Sequence, residues 1–274
     1  MSVETSTAPE LDAPGTTTHR LGPLVAAQHC MTLAWRNLVQ LKASPGELAG
    51  FIMQPLIFIV LFVYVFGGAI SGDTGKYLQF ALPGLIAQSG VFAIMATGVG
   101  LNQDIGNGVF DRLRSLPIAR AAPLVGRTIG DLVRFAMSLV FILGFGYLLG
   151  FRVHTDPLRT VAALLLVVLF GVGLSWVSML IGLLARSAMT VQLFSGLLMF
   201  PITFGSNVLV PVHTFPGWLQ AWAKINPVSY LSTATRGLLT GTPLGTSVWW
   251  SLAWTVVLTA VFAPLAILAY RRRV

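Results

Sequence analysis

The sequence LQFALPGLIAQSGVFAIMATGVGL at residues 78–101 leads directly into NQDIGNGVFDRLRSLPIARAAPLVGR at residues 102–127. The first stretch is long and apolar enough to cross a bilayer as a helix, because a membrane span needs about 20 mainly apolar residues. The second stretch carries two acidic residues and four arginines, so it must lie in water. This junction predicts a membrane helix followed by a hydrated loop.

The composition of the whole chain is that of an integral membrane protein. Of its 274 residues, 55% are hydrophobic and 9% are charged, and the mean hydropathy is +0.80. A soluble domain carries about 25% charged residues. The net charge of +8 comes from Lys and Arg residues scattered among short loops, which argues against a nucleic-acid partner and is typical of membrane topology.

Six apolar segments are long enough to span a bilayer, and we expect them at about residues 49–70, 78–101, 128–150, 160–184, 188–209 and 248–270. Backbone polar groups in lipid must bond within their own segment, so each segment is predicted to be a helix. The segments are continuously apolar and do not alternate, which excludes a β-barrel. The predicted fold class is an all-α polytopic membrane protein.

The N-terminal region divides into two expected parts that precede the transmembrane domain of residues 49–274. Residues 1–20 are rich in Thr, Pro and Ala and lack the features of a signal peptide, so we expect a disordered cytoplasmic tail. Within residues 21–48, apolar side chains recur every three to four positions. That period predicts an amphipathic helix lying in the membrane interface.

The distribution of basic residues predicts the orientation. With the N-terminus inside, 12 Lys and Arg residues fall on the inner side and 5 on the outer side, which together make up the 17 in the chain. The positive-inside rule therefore places both termini in the cytoplasm. The expected location is a bacterial cell membrane.

The last outer loop, residues 210–247, combines Pro and Gly breaks with aromatic side chains. Trp218 and Trp222 are spaced to share one helical face, and Tyr230 follows the Asn226-Pro227 turn. Either two short helices re-enter the outer leaflet, or they lie on it as part of the aromatic belt. We favour re-entrance, because the pieces between breaks are too short to span.

The absence of several residue patterns narrows the function. No ionisable residue lies in the middle of a predicted span, which argues against a secondary carrier or a proton pump. There is no His-Glu-x-x-His, no Cys-x-x-Cys and no nucleotide-binding motif. We therefore predict no catalytic residue, no metal site and no cofactor in this chain, which is not an enzyme; any ATP must be handled by another chain.

The loop that follows residue 101 is the strongest local signal for a partner. An apolar stripe through residues 105–116 predicts a short helix, which Pro117 ends. A solvated interfacial helix is one interpretation. The mixed charge of Asp111, Arg112 and Arg114 favours the other, a protein-docking face, because anionic lipid repels carboxylates.

Three separated blocks resemble the type-2 ABC exporter permeases, in particular the daunorubicin/doxorubicin-resistance branch. They are LPGLIAQSGVFAIMATGVGLNQDIGNGVFDRLRSLPIARAAPLVGRTIGDLVR at 82–134, GYLLGFR at 146–152, and SNVLVPVHTFPGWLQAWAKINPVSYLSTATRGLL at 206–239. The family's Gly-x-x-acid-Arg-apolar-Arg-x-x-Pro stretch is matched by Gly108, Asp111, Arg112, Leu113, Arg114 and Pro117. Many relatives have Glu at the position of Asp111. Asn226, Pro227 and Arg236 match the outer block.

The resemblance implies six helices per subunit and two permease subunits, here a homodimer, with a separate ATPase in two copies that uses ATP and Mg. It implies that the N-terminal amphipathic helix and the loop after the second span dock on the ATPase, and that the outer block forms re-entrant helices near the exit. The expected function is efflux of an amphipathic drug or natural product, giving antibiotic resistance. The alternatives are a permease for a lipid, lipid-linked glycan or peptide, or, in another class, a secondary carrier or a membrane scaffold.

Overall fold

The computed structural model describes residues 45–108 and 122–273, with side chains at 53–92, 95–108 and 128–272. Every regular element in those ranges is helical: α1 (Pro45–Val60), a π-helical segment (Leu61–Phe66), α2 (Gly67–Ser71), α3 (Thr74–Gly106), α4 (Ala122–Leu148), α5 (Pro157–Leu184), α6 (Ala188–Phe204), a 3-10 turn (Val212–Thr214), α7 (Gly217–Ile225), α8 (Pro227–Thr240) and α9 (Ser247–Arg273). The all-α fold class is confirmed. The expected tail and most of the expected interfacial helix lie outside the described residues.

In the described part of the chain, five helical stretches are long and apolar enough to cross a membrane: Met53–Ser71, Thr74–Gly106, Thr128–Leu148, Pro157–Leu184 and Ser247–Arg272. The sixth apolar helix, α6, has 17 residues and ends at Phe204, before the expected limit near residue 209. Its last turn contains Pro201 and Gly205 follows it. The Gly205 N–H still bonds the Pro201 carbonyl, and the chain leaves the helix after it, so the span is one turn shorter than predicted.

The centre of the bundle is the contact between α3 and α5, where small residues let the two backbones touch. A Cβ atom built on Gly182 would lie 2.5 Å from the carbonyl oxygen of Gly98. A Cβ atom on Gly98 would lie 2.3 Å from the carbonyl oxygen of Ser178. Small residues at such contacts maximise packing between helices in lipid, where the hydrophobic effect does not drive association.

α6 runs antiparallel to α3 along the side of the bundle. The rings of Phe92 and Phe200 meet edge to face, with centroids 6.1 Å apart. Nearer the end of α6, a Cβ atom on Gly84 would collide with the backbone of Val208. Most of the outward face of α6 is exposed, including Leu193, Phe194 and Leu197, so this face contacts lipid or a partner.

Chain connectivity gives the bundle two distinct ends. The Asn102 end holds the last turns of α3, α5 and α9 and the first turn of α6, with a small apolar cluster that includes Leu101, Met179 and Tyr270. The Asn226 end holds α2, α7 and α8, the last turn of α6 and the first turn of α9. The predicted outer segment lies at the Asn226 end.

Candidate functional site

Asn226 joins α6 to α8 at the Asn226 end. Its side-chain oxygen accepts a hydrogen bond from the Val228 N–H at 2.9 Å, which caps the start of α8. Its amide nitrogen donates to the carbonyls of Ile202 at 2.6 Å and Gly205 at 3.3 Å. The last carbonyls of a helix have no partner within it. One buried side chain therefore supplies partners at one helix start and at one helix end.

α8 lies inside the bundle, with buried residues along most of its length. Pro227 occupies its first turn, where the missing N–H costs nothing. At the other end of α8, the hydroxyl of Thr155 donates to the carbonyl of Leu238 at 2.6 Å, and the His154 N–H donates to that of Leu239 at 3.0 Å. Both ends of this short helix are thus held by other segments.

Arg236 attaches α8 to α3. Its Nε donates to the carbonyl of Phe80 at 3.0 Å, and its Cζ lies 3.9 Å from the centre of the Phe80 ring. One terminal nitrogen donates to the carbonyl of Asn207 at 3.1 Å and to the hydroxyl of Ser232 at 3.3 Å. None of these contacts is a carboxylate, so the charge is stabilised by carbonyl dipoles and a ring face.

Tyr230 connects α8 to α7 and α9. Its hydroxyl donates to the carbonyl of Lys224 at 2.5 Å. Its ring stacks on Trp250, with centroids 5.7 Å apart and an angle of 23° between the planes. Together with Asn226 and Arg236, this side chain fixes α8 against four other helices.

The two tryptophans of α7 lie farther out. The Trp218 side chain is 74% exposed, and that of Trp222 is 39% exposed. Trp222 packs against the end of α6, since a Cβ atom on Gly205 would lie 2.7 Å from its Nε1. The predicted outer residues therefore form one structure with a buried part, around Asn226 and Arg236, and an exposed aromatic part on α7.

Of the predicted ATPase-coupling residues, only Gly108 is described. It follows the end of α3 with a φ of +67°, and its N–H donates to the carbonyl of Ile105 at 3.1 Å. This left-handed backbone favours glycine. Asp111, Arg112, Leu113, Arg114 and Pro117 lie outside the described residues, so their role stays a prediction.

Two residues outside the predicted site have comparable structural roles. The Asn102 amide nitrogen donates to the carbonyls of Gly182 and Ala185, both at 2.9 Å, at the end of α5. Phe80 supplies the ring and the carbonyl that hold Arg236. Neither role is visible in the sequence, although Asn102 marks the boundary between the apolar span and the polar loop.

The described residues contain no group of three or more His, Cys, Asp or Glu side chains that could hold a metal ion. The described polar contacts are hydrogen bonds between apolar helices, and they fix the positions of those helices relative to one another.

Comparison with known proteins agrees with this architecture. The profile of the ABC-2 type transporter family matches residues 28–240. The daunorubicin resistance ABC transporter permease protein DrrB1 of Streptomyces coeruleorubidus is 39% identical over 248 residues, which cover 90% of this chain and 88% of that protein. The doxorubicin resistance ABC transporter permease protein DrrB of Mycobacterium tuberculosis is 31% identical over 250 residues, which cover 87% of this chain and 86% of that protein. The chain is a multi-pass membrane protein that belongs to the ABC-2 type transporter family.

Proposed function

We propose that this chain is the transmembrane subunit of an ATP-driven exporter that removes an amphipathic drug or natural product from a bacterial cell and so confers resistance. The observation that carries the proposal is the 39% identity, over 90% of the chain, to a permease named for daunorubicin resistance. The alignment extends through both the loop after α3 and the outer segment. A lipid, glycan or peptide exporter would use the same fold with another cargo.

Energy enters through a separate ATPase, present in two copies, because the sequence contains no nucleotide-binding motif. Its docking face on this chain is the loop of Asp111, Arg112 and Arg114. Charges of both signs fix the register of a protein interface. ATP binding favours one arrangement of the ATPase pair, and the loop transmits that difference to α3 and α4. ATP and Mg belong to the partner chain.

Both termini lie in the cytoplasm, so the Asn226 end faces outward. The unequal distribution of Lys and Arg supports this orientation. The outer segment re-enters the membrane: α8 has 14 residues, too few to span, and is largely buried among longer helices. Trp218, the more exposed tryptophan of α7, fits the aromatic belt at the membrane surface, whereas Trp222 packs against the end of α6 within the re-entrant segment.

Two permease subunits form the transporter as a homodimer. The family resemblance implies this pairing, and α6 and the stretch that begins with α1 expose large apolar side chains, such as Ile57, Tyr64, Leu193 and Phe194, on which a second copy would pack. A path between two copies would then be apolar and aromatic, which suits hydrophobic cargo.

Docking is tested with the Asp111→Arg variant. Efflux of fluorescent daunorubicin is measured in cells that express the permease with its cognate ATPase, and the ATPase bound to the purified permease is quantified. Breaking a desolvated interfacial charge pair costs about 2–5 kcal/mol, so Asp111→Arg abolishes efflux and removes most of the bound ATPase. The matched control is Asp156→Arg in the loop at the opposite end, which keeps both.

Wild-type efflux and ATPase binding in Asp111→Arg contradict the docking role. If the wild-type complex exports lipid but not daunorubicin, the cargo is a lipid and not a drug. Transport driven by an ion gradient in the absence of any ATPase would show that the chain is a secondary carrier. A wild-type protein that transports nothing would indicate a membrane scaffold.

Orientation is tested by cysteine labelling in a Cys30→Ser background. Lys76→Cys and Lys224→Cys, both at exposed positions, react with an impermeant maleimide in intact cells, whereas a cysteine added after Val274 does not. Labelling of that C-terminal cysteine in intact cells contradicts the orientation.

Insertion of the outer segment is tested with Trp222→Glu. A charge at membrane depth costs several kcal/mol, so this variant impairs efflux while ATPase binding stays intact. Efflux at the wild-type level would show that the segment is solvated.

A further inference from the structure

Three buried polar side chains surround the point where α7 ends and α8 begins, at Asn226. Gln88 of α3 is 2% exposed, Thr203 of α6 is 1% exposed and Ser229 of α8 is 6% exposed. Both hydroxyl oxygens and both amide atoms of Gln88 are buried without a hydrogen-bond partner among the described residues. Native proteins contain few such atoms, so their positions relative to one another matter.

Gln88 and Thr203 lie opposite each other where α6 packs on α3. Gln88 is one turn after Gly84 and one turn before Phe92. A Cβ atom on Gly84 would collide with the backbone just after α6, and the Phe92 ring contacts Phe200 of α6. Residues one turn apart share a helix face, so Gln88 faces α6 as well. Thr203 follows Phe200 by one turn on the buried side of α6, which brings it level with Gln88.

Ser229 comes to the same level from α8. Arg236 of α8 donates to the carbonyl of Phe80 on α3, and Ser229 lies two turns earlier on the same face of α8. The start of α8 is bonded to the last turn of α6, which lies level with Gln88, so α8 runs antiparallel to α3. Two turns back along α8 therefore correspond to two turns forward along α3, from Phe80 to Gln88.

The three side chains face one another but do not bond one another, since the Gln88 amide and both hydroxyls lack partners among the described residues. A single water molecule donates two hydrogen bonds and accepts two. Buried waters in proteins typically make about three hydrogen bonds to polar groups that otherwise lack partners. Hydroxyl and amide groups can donate as well as accept, so a water between the three side chains satisfies all of them.

Larger or charged occupants fit this place poorly. Each of the unpartnered atoms has less than 1 Å² of accessible surface, so lipid and large ligands do not reach them. The three side chains are uncharged and offer three oxygens, whereas hard cations take about six. The guanidinium of Arg236, two turns along the same face of α8, would repel a second positive charge.

We propose that Gln88, Thr203 and Ser229 bind an internal water molecule at the start of α8. This water joins α3, α6 and α8 at one point. The described bonds of the Asn226 side chain join α6 to α8, and the water adds α3 to that junction. The site is independent of the cargo and stands whether or not the chain exports a drug.

The test is transfer of magnetisation from water protons to the Gln88 side-chain amide, measured by solid-state NMR on the full-length permease in lipid bilayers with ¹⁵N-labelled glutamine. The Gln88 signal is assigned by its loss in Gln88→Met. We expect transfer in the wild type. Thr203→Val and Ser229→Ala each remove one bond to the water, so each slows transfer at least about twofold. The matched controls are Thr255→Val and Ser251→Ala, whose hydroxyls already bond carbonyls of α9; both keep the wild-type rate.

Thr203→Ser keeps the hydroxyl and should keep the transfer. A transfer as slow in Thr203→Ser as in Thr203→Val would show that packing is responsible, and it would overturn the proposal. Absence of transfer to Gln88 in the wild type means a dry junction and also overturns it. Unchanged transfer in both Thr203→Val and Ser229→Ala does the same, because water then reaches Gln88 without them. A shift of the Gln88 resonance when Na⁺ and K⁺ are replaced by N-methylglucamine would identify a bound cation instead of water.

Discussion

Asn102 and Asn226 have similar structural roles at opposite ends of the bundle. Each is buried, and each donates two hydrogen bonds from its amide nitrogen to carbonyls at the end of an apolar helix, α5 for Asn102 and α6 for Asn226. They differ in what the side-chain oxygen does. That of Asn226 also caps α8, so the Asn226 end connects two helix termini through one residue.

The neighbourhoods of the two asparagines differ as well. Near Asn102, α3 and α5 are in backbone contact through Gly98 and Gly182, so close packing restricts their positions together with the hydrogen bonds of Asn102. At the Asn226 end, short helices are held by side chains such as Arg236 and Tyr230. Helix positions at the Asn102 end therefore depend on close backbone packing as well as on polar side chains, whereas at the Asn226 end they depend mainly on polar side chains.

The largest effect is expected for Asn226→Leu. It removes a cap, worth about 1 kcal/mol, and leaves two buried carbonyls without the amide donor at about 1 kcal/mol each, the lower end of the usual cost, so we expect a loss of about 3 kcal/mol in the free energy of unfolding. SDS titration in mixed micelles, followed by circular dichroism, measures it. Asn226→Ser keeps only the cap and recovers about 1 kcal/mol. Equal stability of the two variants would show that the cap contributes nothing.

The contact between glycines predicts the next largest effect. In Gly182→Ala the new methyl group meets the Gly98 carbonyl, and overpacking of this kind costs about 1–3 kcal/mol. Gly144→Ala is the matched control: nothing lies within 4 Å of that position, so relief of the glycine penalty stabilises α4 by about 0.5–1 kcal/mol. The same titration measures both. If both variants changed the free energy of unfolding by similar amounts in the same direction, the close approach of α3 and α5 would be contradicted.

Asn102→Leu tests the comparison directly. It removes the amide donor from two carbonyls but removes no cap, so the expected loss is about 2 kcal/mol, roughly 1 kcal/mol less than for Asn226→Leu. Both variants are titrated side by side in the same micelles. A loss as large as that of Asn226→Leu would mean that the two asparagines contribute equally to stability.

The smallest effect is expected for Arg236→Lys. The charge remains, but an ammonium group cannot bond the Phe80 and Asn207 carbonyls as a planar guanidinium does, so we expect a loss of about 1–2 kcal/mol. Lys224→Arg at an exposed position is the control and stays within about 0.5 kcal/mol of the wild type. Wild-type stability in Arg236→Lys would show that charge alone is needed.

The sequence was sufficient to predict the all-α class and the breaks in the outer segment, because apolar length and Pro/Gly positions are local signals. The Asn226-Pro227 turn was recognisable for the same reason. The hydrogen-bond partners could not be predicted from the sequence. Asn102 bonds residues 80 and 83 positions away in the chain, and Arg236 bonds Phe80, which is 156 positions away. Such pairings depend on which helices are neighbours, and apolar spans of similar composition do not specify their neighbours.

The tie at Asn226 has a mechanical consequence. α6 cannot slide along its axis without pulling α8, since the carbonyls of Ile202 and Gly205 are bonded to the residue that starts α8. α8 in turn is attached to α3 through Arg236. A displacement of α6 would therefore reach α8 through a single amide side chain, in addition to reaching α3 directly through the Phe92–Phe200 contact.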